Sequence, residues 1–204
     1  MPPERLLLRT GPAWEEAVAR TAEVLSAGGI AVLPAEGVYG YHARVDRGDA
    51  LARLGRLKPR EEGRGYIVLI ARPEELARWA DAPPRRARAL VEAHWPGALT
   101  LVLAAAAAVP PVLRGSGGTI ALRCPGSDFL RAVLRAGGAP LVSTSANAPG
   151  GAPATRAEDA PSAGVDLVVD GGPLSGVPST VALLEEDEIR VLRPGAVRIR
   201  TGRS

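Results

Sequence analysis

Leu141-Val142-Ser143-Thr144-Ser145-Ala146-Asn147 is an apolar strand that runs directly into four hydrogen-bonding side chains within five positions. In α/β folds the loops at the carboxyl ends of sheet strands are where ligands sit. Ser and Asn also dominate ordinary turns for local reasons, so this stretch taken alone leaves both readings open. It does settle that a buried strand ends here, because Pro149-Gly150-Gly151 follows at once.

Outward from that strand, the chain alternates helical and extended segments. Trp14 to Ser26 has the spacing of an amphipathic helix, with Val18, Ala22 and Leu25 on one face, and Gly28-Gly29 ends it. A second helix runs through Leu51, Leu54 and Leu57, with Asp46 or Asp49 as its cap. Pro73 to Trp79 and Pro84 to His94 are helices opened by proline, and Phe129 to Ala136 is another, ended at Gly137-Gly138. Ile30–Leu33, Ile67–Ile70, Leu99–Leu103, Ile120–Arg123, Leu141–Thr144 and Val165–Val169 read as strands. Thr180–Leu184 and Ile189–Leu192 form a closing β pair around the acidic turn Glu185 to Glu188. Ala104 to Ala108 is either a strand end or a helical turn cut off by Pro110-Pro111. Thr155 and Glu158 have capping-box spacing, with Pro161 keeping any helix short. The pattern argues an α/β domain with a largely buried, mixed sheet over residues 1–204.

A 204-residue chain that is 46% hydrophobic can bury a sizeable single core. One cysteine, Cys124, allows neither an intrachain disulfide nor a cysteine metal cluster, and points to a reducing compartment. There is no run long enough to span a bilayer and no signal-peptide pattern at the start, so the cytoplasm is the default expectation. The phosphate loop G-x-x-x-x-G-K-[ST], the G-x-G-x-x-G fingerprint and the G-x-S-x-G elbow are all missing. His42 and His94 lack metal-ligand spacing, so no metal site is expected.

The net charge of +3 is modest, but its composition is informative: of 25 Lys and Arg residues, one is lysine, Lys58. Arginine and lysine differ in shape, hydration and donor geometry, so the single lysine marks a position where arginine does not serve. Lys58-Pro59-Arg60, with Arg64 beyond it, follows a helix. Such a run is ordinarily solvated charge favoured by the helix C-terminus; it is also what a polyphosphate site requires. Pro34-Ala35-Glu36-Gly37-Val38-Tyr39-Gly40 reads as a tight strand-to-helix connection or as backbone brought close to a ligand. Arg123 and Arg193 each end a strand, and could converge on one anion beside the Ser143–Asn147 loop.

Taken together, these segments resemble the YrdC-like family, the threonylcarbamoyl-adenylate synthases, over nearly the whole chain. The matching order is Pro34 to Gly40, Lys58 to Arg60, Trp95-Pro96-Gly97 with Leu99-Thr100, Thr119 to Arg123, Ser143 to Asn147 with Gly150, Ser179-Thr180, and Leu192-Arg193-Pro194-Gly195. The resemblance implies a YrdC/RibB-like fold, a twisted, mostly mixed β-sheet with flanking helices around a concave basic face, in the short form without an extra C-terminal domain. It implies a nucleotidyltransferase that joins L-threonine, bicarbonate and ATP, with Mg2+ carried on ATP, into threonylcarbamoyl-adenylate and pyrophosphate. A partner complex would then transfer the threonylcarbamoyl group to tRNA. Lys58 and Arg60 would be the catalytic cations on the ATP phosphates, with Arg64, Thr119, Ser145 and Arg193 as further nucleotide contacts. Tyr39, Arg123, Ser143 and Ser179 would hold the amino acid, and Asn147 would order the loop.

Two positions depart from the family pattern. Gly37 stands where relatives carry a threonine that touches the amino acid, and Leu69 where many carry a histidine. They motivate a second reading, a paralogue acting on a different carbamoyl-type substrate. A third is a translation-associated protein that binds double-stranded RNA or tRNA through charge and shape.

Overall fold

The computed structural model describes residues 2–59, 65–148, 150–185 and 188–199. In chain order the elements are β1 (Glu4–Leu7), α1 (Pro12–Ser26), β2 (Ala31–Pro34), β3 (Tyr39–Arg44), α2 (Gly48–Leu57), β4 (Ile67–Leu69), α3 (Leu76–Trp79), α4 (Arg85–His94), β5 (Leu99–Ala104), β6 (Thr119–Arg123), α5 (Asp128–Gly137), β7 (Leu141–Ser145), β8 (Leu167–Asp170), β9 (Thr180–Glu185) and β10 (Glu188–Arg193). The strands make one mixed sheet in the order β1-β8-β2-β3-β7-β4-β6-β5-β9-β10. The β1–β8, β2–β8, β4–β6 and β5–β9 pairs are parallel and the others antiparallel.

Alternation along each strand divides the sheet into two faces. On one, Val32, Tyr41, Val68, Leu101, Leu122, Val142 and Ala182 pack with Ala50, Leu51 and Leu54 of α2, Leu76 and Trp79 of α3, and Ala87 and Val91 of α4. On the other, Ala31, Leu33, Leu69, Leu141, Leu167 and Val169 pack with Ala17, Val18 and Leu25 of α1 and with Phe129, Leu130, Val133 and Leu134 of α5. Each fully buried Leu, Val or Phe contributes about 2 kcal/mol, so these two layers dominate the favourable side of folding. The second face is only half roofed. Ile67, Thr119, Ala121, Ser143, Ser145 and Val181 are half-buried rather than sealed. That uncovered part carries Thr119, Ser143 and Ser145, three of the candidate site residues.

Several local expectations are corrected. Pro34 to Gly40 joins two antiparallel strands, not a strand to a helix. Tyr39 to Arg44 is buried along nearly its whole length, so it lacks the alternation that would have revealed a strand. The edge strand Glu4–Leu7 was not anticipated. Asp46 and Asp49 do not cap α2; they pair with Arg44 at 2.6 Å and Arg47 at 3.1 Å. Pro73–Glu75 is a 3-10 turn that leads into the single helical turn of α3. Thr155 caps nothing: a 3-10 turn at Ala157–Asp159 follows Arg156. The alanine run ends β5 at Ala104. Ser127 caps α5, accepting from the Leu130 amide at 3.3 Å, and Gly138 ends it at φ 66°. Residues 186–187 of the acidic turn lie outside the described residues. Among the described residues, no helix is long and apolar enough to cross a membrane.

Candidate functional site

Strand register sets the polar residues of the open face side by side. Ser143 of β7 lies between His42 of β3 and Ile67 of β4, and Ile67 lies beside Ala121 of β6. Leu69 lies beside Arg123, and Thr100 of β5 lies beside Val181 of β9. The β5–β6 register, which pairs Leu101 with Leu122, carries Thr100 to Arg123 one step further. Strands of a mixed sheet thus bring residues from six parts of the chain to one face.

Lys58 caps the C-terminus of α2, and its Nζ donates to the carbonyl of Asn147 at 3.0 Å. The two stretches that stood out in the sequence therefore meet. Partial burial pulls the ammonium pKa below its ordinary value. Asn147 makes the loop rigid: its Oδ1 accepts from Ser145 Oγ at 2.6 Å, and its Nδ2 donates to the carbonyls of Ala148 and Gly151 at 2.8 Å each. Among the described residues no carboxylate lies within ion-pair distance of Lys58, whose ammonium rests on the Asn147 carbonyl. Arg60 and Arg64 lie outside the described residues.

Arg123 is held from two sides. Its guanidinium pairs with Glu36, and its Nε donates to the carbonyl of Gly97 at 2.9 Å. Glu36 also accepts from the Gly126 amide. Gly97 must be glycine, because a Cβ there would lie 2.3 Å from the His94 carbonyl. The segments Pro34–Tyr39, Trp95–Gly97 and Arg123–Gly126 are thereby knotted around one buried cation. Arg123 reaches the site already neutralised. Beside Ser143, His42 is fully buried with Nδ1 2.9 Å from the Gly40 carbonyl. Burial, opposed by that carbonyl and reinforced by repulsion from Arg123, holds its pKa down at about 4.

Ser179 and Arg193 were assigned to different substrates, yet they touch. Arg193 donates to the Ser179 carbonyl from Nε at 3.2 Å and from Nη2 at 2.9 Å, and to Ser179 Oγ from Nη2 at 3.0 Å. Ser179 Oγ is also 3.0 Å from Oγ1 of buried Thr100. Thr119 Oγ1 donates to the Ser116 carbonyl at 3.0 Å, at the exposed end of β6. Glu36, Gly97 and Thr100 had no assigned role in the sequence reading, although all three fall inside the quoted motifs.

Tyr39 does not line the groove. It is fully buried in the opposite layer; its hydroxyl donates to the Gly172 carbonyl at 2.7 Å and accepts from the Gly171 amide at 3.0 Å. Burial pushes its pKa up to about 12. Leu69 is part of the core under α1 and α5. Gly37 lies under the segment 171–178: the Gly176 amide donates to the Gly37 carbonyl at 2.8 Å, and a Cβ at Gly37 would lie 1.8 Å from the Val177 carbonyl oxygen. No side chain fits at position 37 in this arrangement. Among the described residues, no group of three or more His, Cys, Asp or Glu side chains is placed to hold a metal ion.

The Sua5/YciO/YrdC family model, described as telomere recombination, matches residues 23–195. A threonylcarbamoyl-AMP synthase of Bacillus subtilis is 34% identical over 188 residues, which is 88% of this chain and 54% of that protein. One from Xanthomonas oryzae is 37% identical over 180 residues, 85% of this chain and 91% of that protein. The chain thus spans about half the length of the Bacillus relative and nearly all of the Xanthomonas one. Among solved structures, Sua5 of Pyrococcus abyssi complexed with L-threonine aligns with a TM-score of 0.85 at 31% identity, over 94% of this chain and 57% of that one. YciO of Escherichia coli aligns with a TM-score of 0.86 at 26% identity, over 95% of this chain and 96% of that one. With the family model spanning most of the chain and the same sheet recurring in these structures, the chain belongs to the Sua5/YciO/YrdC family.

Proposed function

We propose that the groove is the active site of an L-threonylcarbamoyl-adenylate synthase. The observation that carries this reading is the hydrogen bond between Lys58 Nζ and the carbonyl of Asn147, which places the one lysine against the Ser143–Asn147 loop. The carbamate formed from threonine and bicarbonate attacks the α-phosphate of ATP. A carbamate oxygen–phosphorus bond forms, the bond to the β-phosphate's bridging oxygen breaks, and pyrophosphate leaves with that electron pair. Catalysis of this kind is mostly positioning and charge neutralisation, and needs no strong general base. Lys58 neutralises the phosphates, with Arg60 and Arg64 as further cations. Ser145 and Thr119 contact the nucleotide. Arg123 and Ser143 orient the amino acid. Mg2+ would be held by the ATP phosphates and would supply further charge neutralisation, since the candidate site offers Lys, Arg, Ser and Thr rather than carboxylates. The product then passes to a transferase acting on tRNA.

Pyrophosphate release that requires both threonine and bicarbonate is the expected result; ATP turnover indifferent to threonine overturns the reading. A second reading, a different carbamoyl-type substrate, draws on Gly37, closed over by the Val177 carbonyl, and on Leu69, absorbed into the core. Replacement of threonine by another amino acid as the better substrate would favour it.

A further inference from the structure

Lys58 is the one lysine of the chain, and every other Lys or Arg position is arginine. A guanidinium stays protonated and offers no lone pair, whereas an ammonium that loses a proton becomes a nucleophile. Lys58 therefore carries the only side-chain amine of that kind. Its surroundings favour the neutral form. The residue is half-buried at the end of α2, its Nζ donates to the Asn147 carbonyl at 3.0 Å, and among the described residues no carboxylate stands within ion-pair distance of it. A carbonyl accepts a hydrogen from a neutral amine as well as from an ammonium, so this contact orients the nitrogen without fixing its charge. Asn147 is itself braced by Ser145 and by the carbonyls of Ala148 and Gly151, so Nζ is held against a rigid loop. Desolvation acts in the same direction and lowers the ammonium pKa.

We infer that Lys58 is a self-acylation site: the acyl-adenylate made in the groove transfers its carbamoyl group to Lys58 Nζ, and the transfer shuts the site. The inference rests on the synthase reading above, in which the product is a mixed anhydride of a carbamic acid and a phosphate and Lys58 lies on the phosphates. The acyl carbon of such an anhydride is one bridging oxygen away from the α-phosphorus, so an amine held on that phosphate is within reach of it. Charge sets the timing. The triphosphate of ATP keeps the ammonium protonated during synthesis, and departure of pyrophosphate removes most of that negative charge. The neutral Nζ then attacks the carbamoyl carbon. A nitrogen–carbon bond forms, the bond from that carbon to the phosphate oxygen breaks, AMP leaves with the electron pair, and the proton lost from Nζ passes to water. Lys58 ends as a neutral urea, which no longer offsets phosphate charge. Product collected promptly by a transferase escapes this fate, whereas product that lingers inactivates the protein that made it.

Acetyl-adenylate, a ready-made mixed anhydride, tests the amine without the synthetic reaction. Mass spectrometry of the peptide that contains Lys58 should show acetylation at least about 100-fold faster than that of Nα-acetyl-lysine amide in the same tube, a small part of the gain open to held reactants. Unfolding the protein in urea should abolish the advantage. A rate in the folded protein equal to that of the free amine overturns the inference. The self-made adduct is tested with ATP, L-threonine and bicarbonate in the absence of a transferase. The Lys58 peptide should gain a threonylcarbamoyl group, pyrophosphate release should decay in step with that gain, and hydroxylamine, which captures the product, should slow both. Sustained turnover on unmodified Lys58 overturns the inference. A wild type that releases no pyrophosphate overturns the proposed function, and the acetyl-adenylate rate then decides by itself whether Lys58 is an acylation site.

Discussion

The Arg123 guanidinium and the Glu36 carboxylate form an ion pair at the end of β6, with 9% of the arginine side chain and 23% of the glutamate side chain exposed. Glu36 links the β2–β3 turn to this strand and to the Gly126 amide at once. Removing one partner of a buried pair leaves the other charge desolvated and unpaired. Glu36→Gln should therefore cost about 3 kcal/mol in denaturant unfolding. It should also raise the KM for threonine more than that for ATP. Unfolding within about 0.5 kcal/mol of wild type, the range of a neutral surface change, would show that Glu36 is not the anchor.

Lys58 behaves oppositely. Among the described residues its one side-chain hydrogen bond is to a loop carbonyl, so Lys58→Ala should leave stability within about 0.5 kcal/mol of wild type. Its removal takes a charge from the phosphates, and kcat/KM for pyrophosphate release should fall at least about 100-fold, as for loss of a charge-stabilising donor. Near-normal turnover would remove Lys58 from the catalytic centre.

Gly37 is packed by the Val177 carbonyl, so Gly37→Ala forces the 171–178 segment to move. The expected cost is about 2 kcal/mol, that of overpacking a tight contact. Hydrogen–deuterium exchange should rise at Gly176, whose amide bonds the Gly37 carbonyl. Unchanged exchange there would mean that the segment is not seated on Gly37.

Tyr39→Phe removes the hydroxyl that ties β3 to Gly171 and Gly172. Stability should drop by about 1 to 2 kcal/mol. Threonine binding measured by calorimetry should not change, whereas a tyrosine in contact with the amino acid would weaken it.

His42 gives stability a pH dependence. In the unfolded chain it takes up a proton below about 6.5, while in the folded protein it stays neutral down to about 4. Protons are then bound preferentially by the unfolded state, so stability is full above about pH 6.5 and falls as pH drops towards 4, by about 3 kcal/mol in all. Chemical unfolding at pH 7 and pH 4.5 should show this loss in wild type and a smaller one in His42→Gln. Equal losses in the two proteins would assign the pH dependence to other groups.

Helices with an apolar stripe and strands with a clear terminus were readable because periodicity and punctuation are local. α1, α4 and α5 fall where their apolar spacing, prolines and glycines put them. β3 was not readable, since a strand buried on both faces in mid-sheet loses its alternation. Asp46 and Asp49 were misread for a different reason: a nearby arginine competes for an acidic side chain as effectively as a helix terminus does.

What the sequence determined by itself was the inventory: the α/β class, the single lysine, the Ser143–Asn147 loop and the order of motifs that marks the family. The tertiary structure alone decided who meets whom. Strand order brings Thr100, Arg123 and Ser143 to one face of the sheet, and burial places Tyr39 and Leu69 in the core. It also decided charge: Arg123 is balanced by Glu36, while Lys58 is held on the carbonyl of Asn147. The physical reason is that a motif fixes which groups are available, whereas desolvation and hydrogen-bond partners, set by residues tens of positions away, fix what each group can still do.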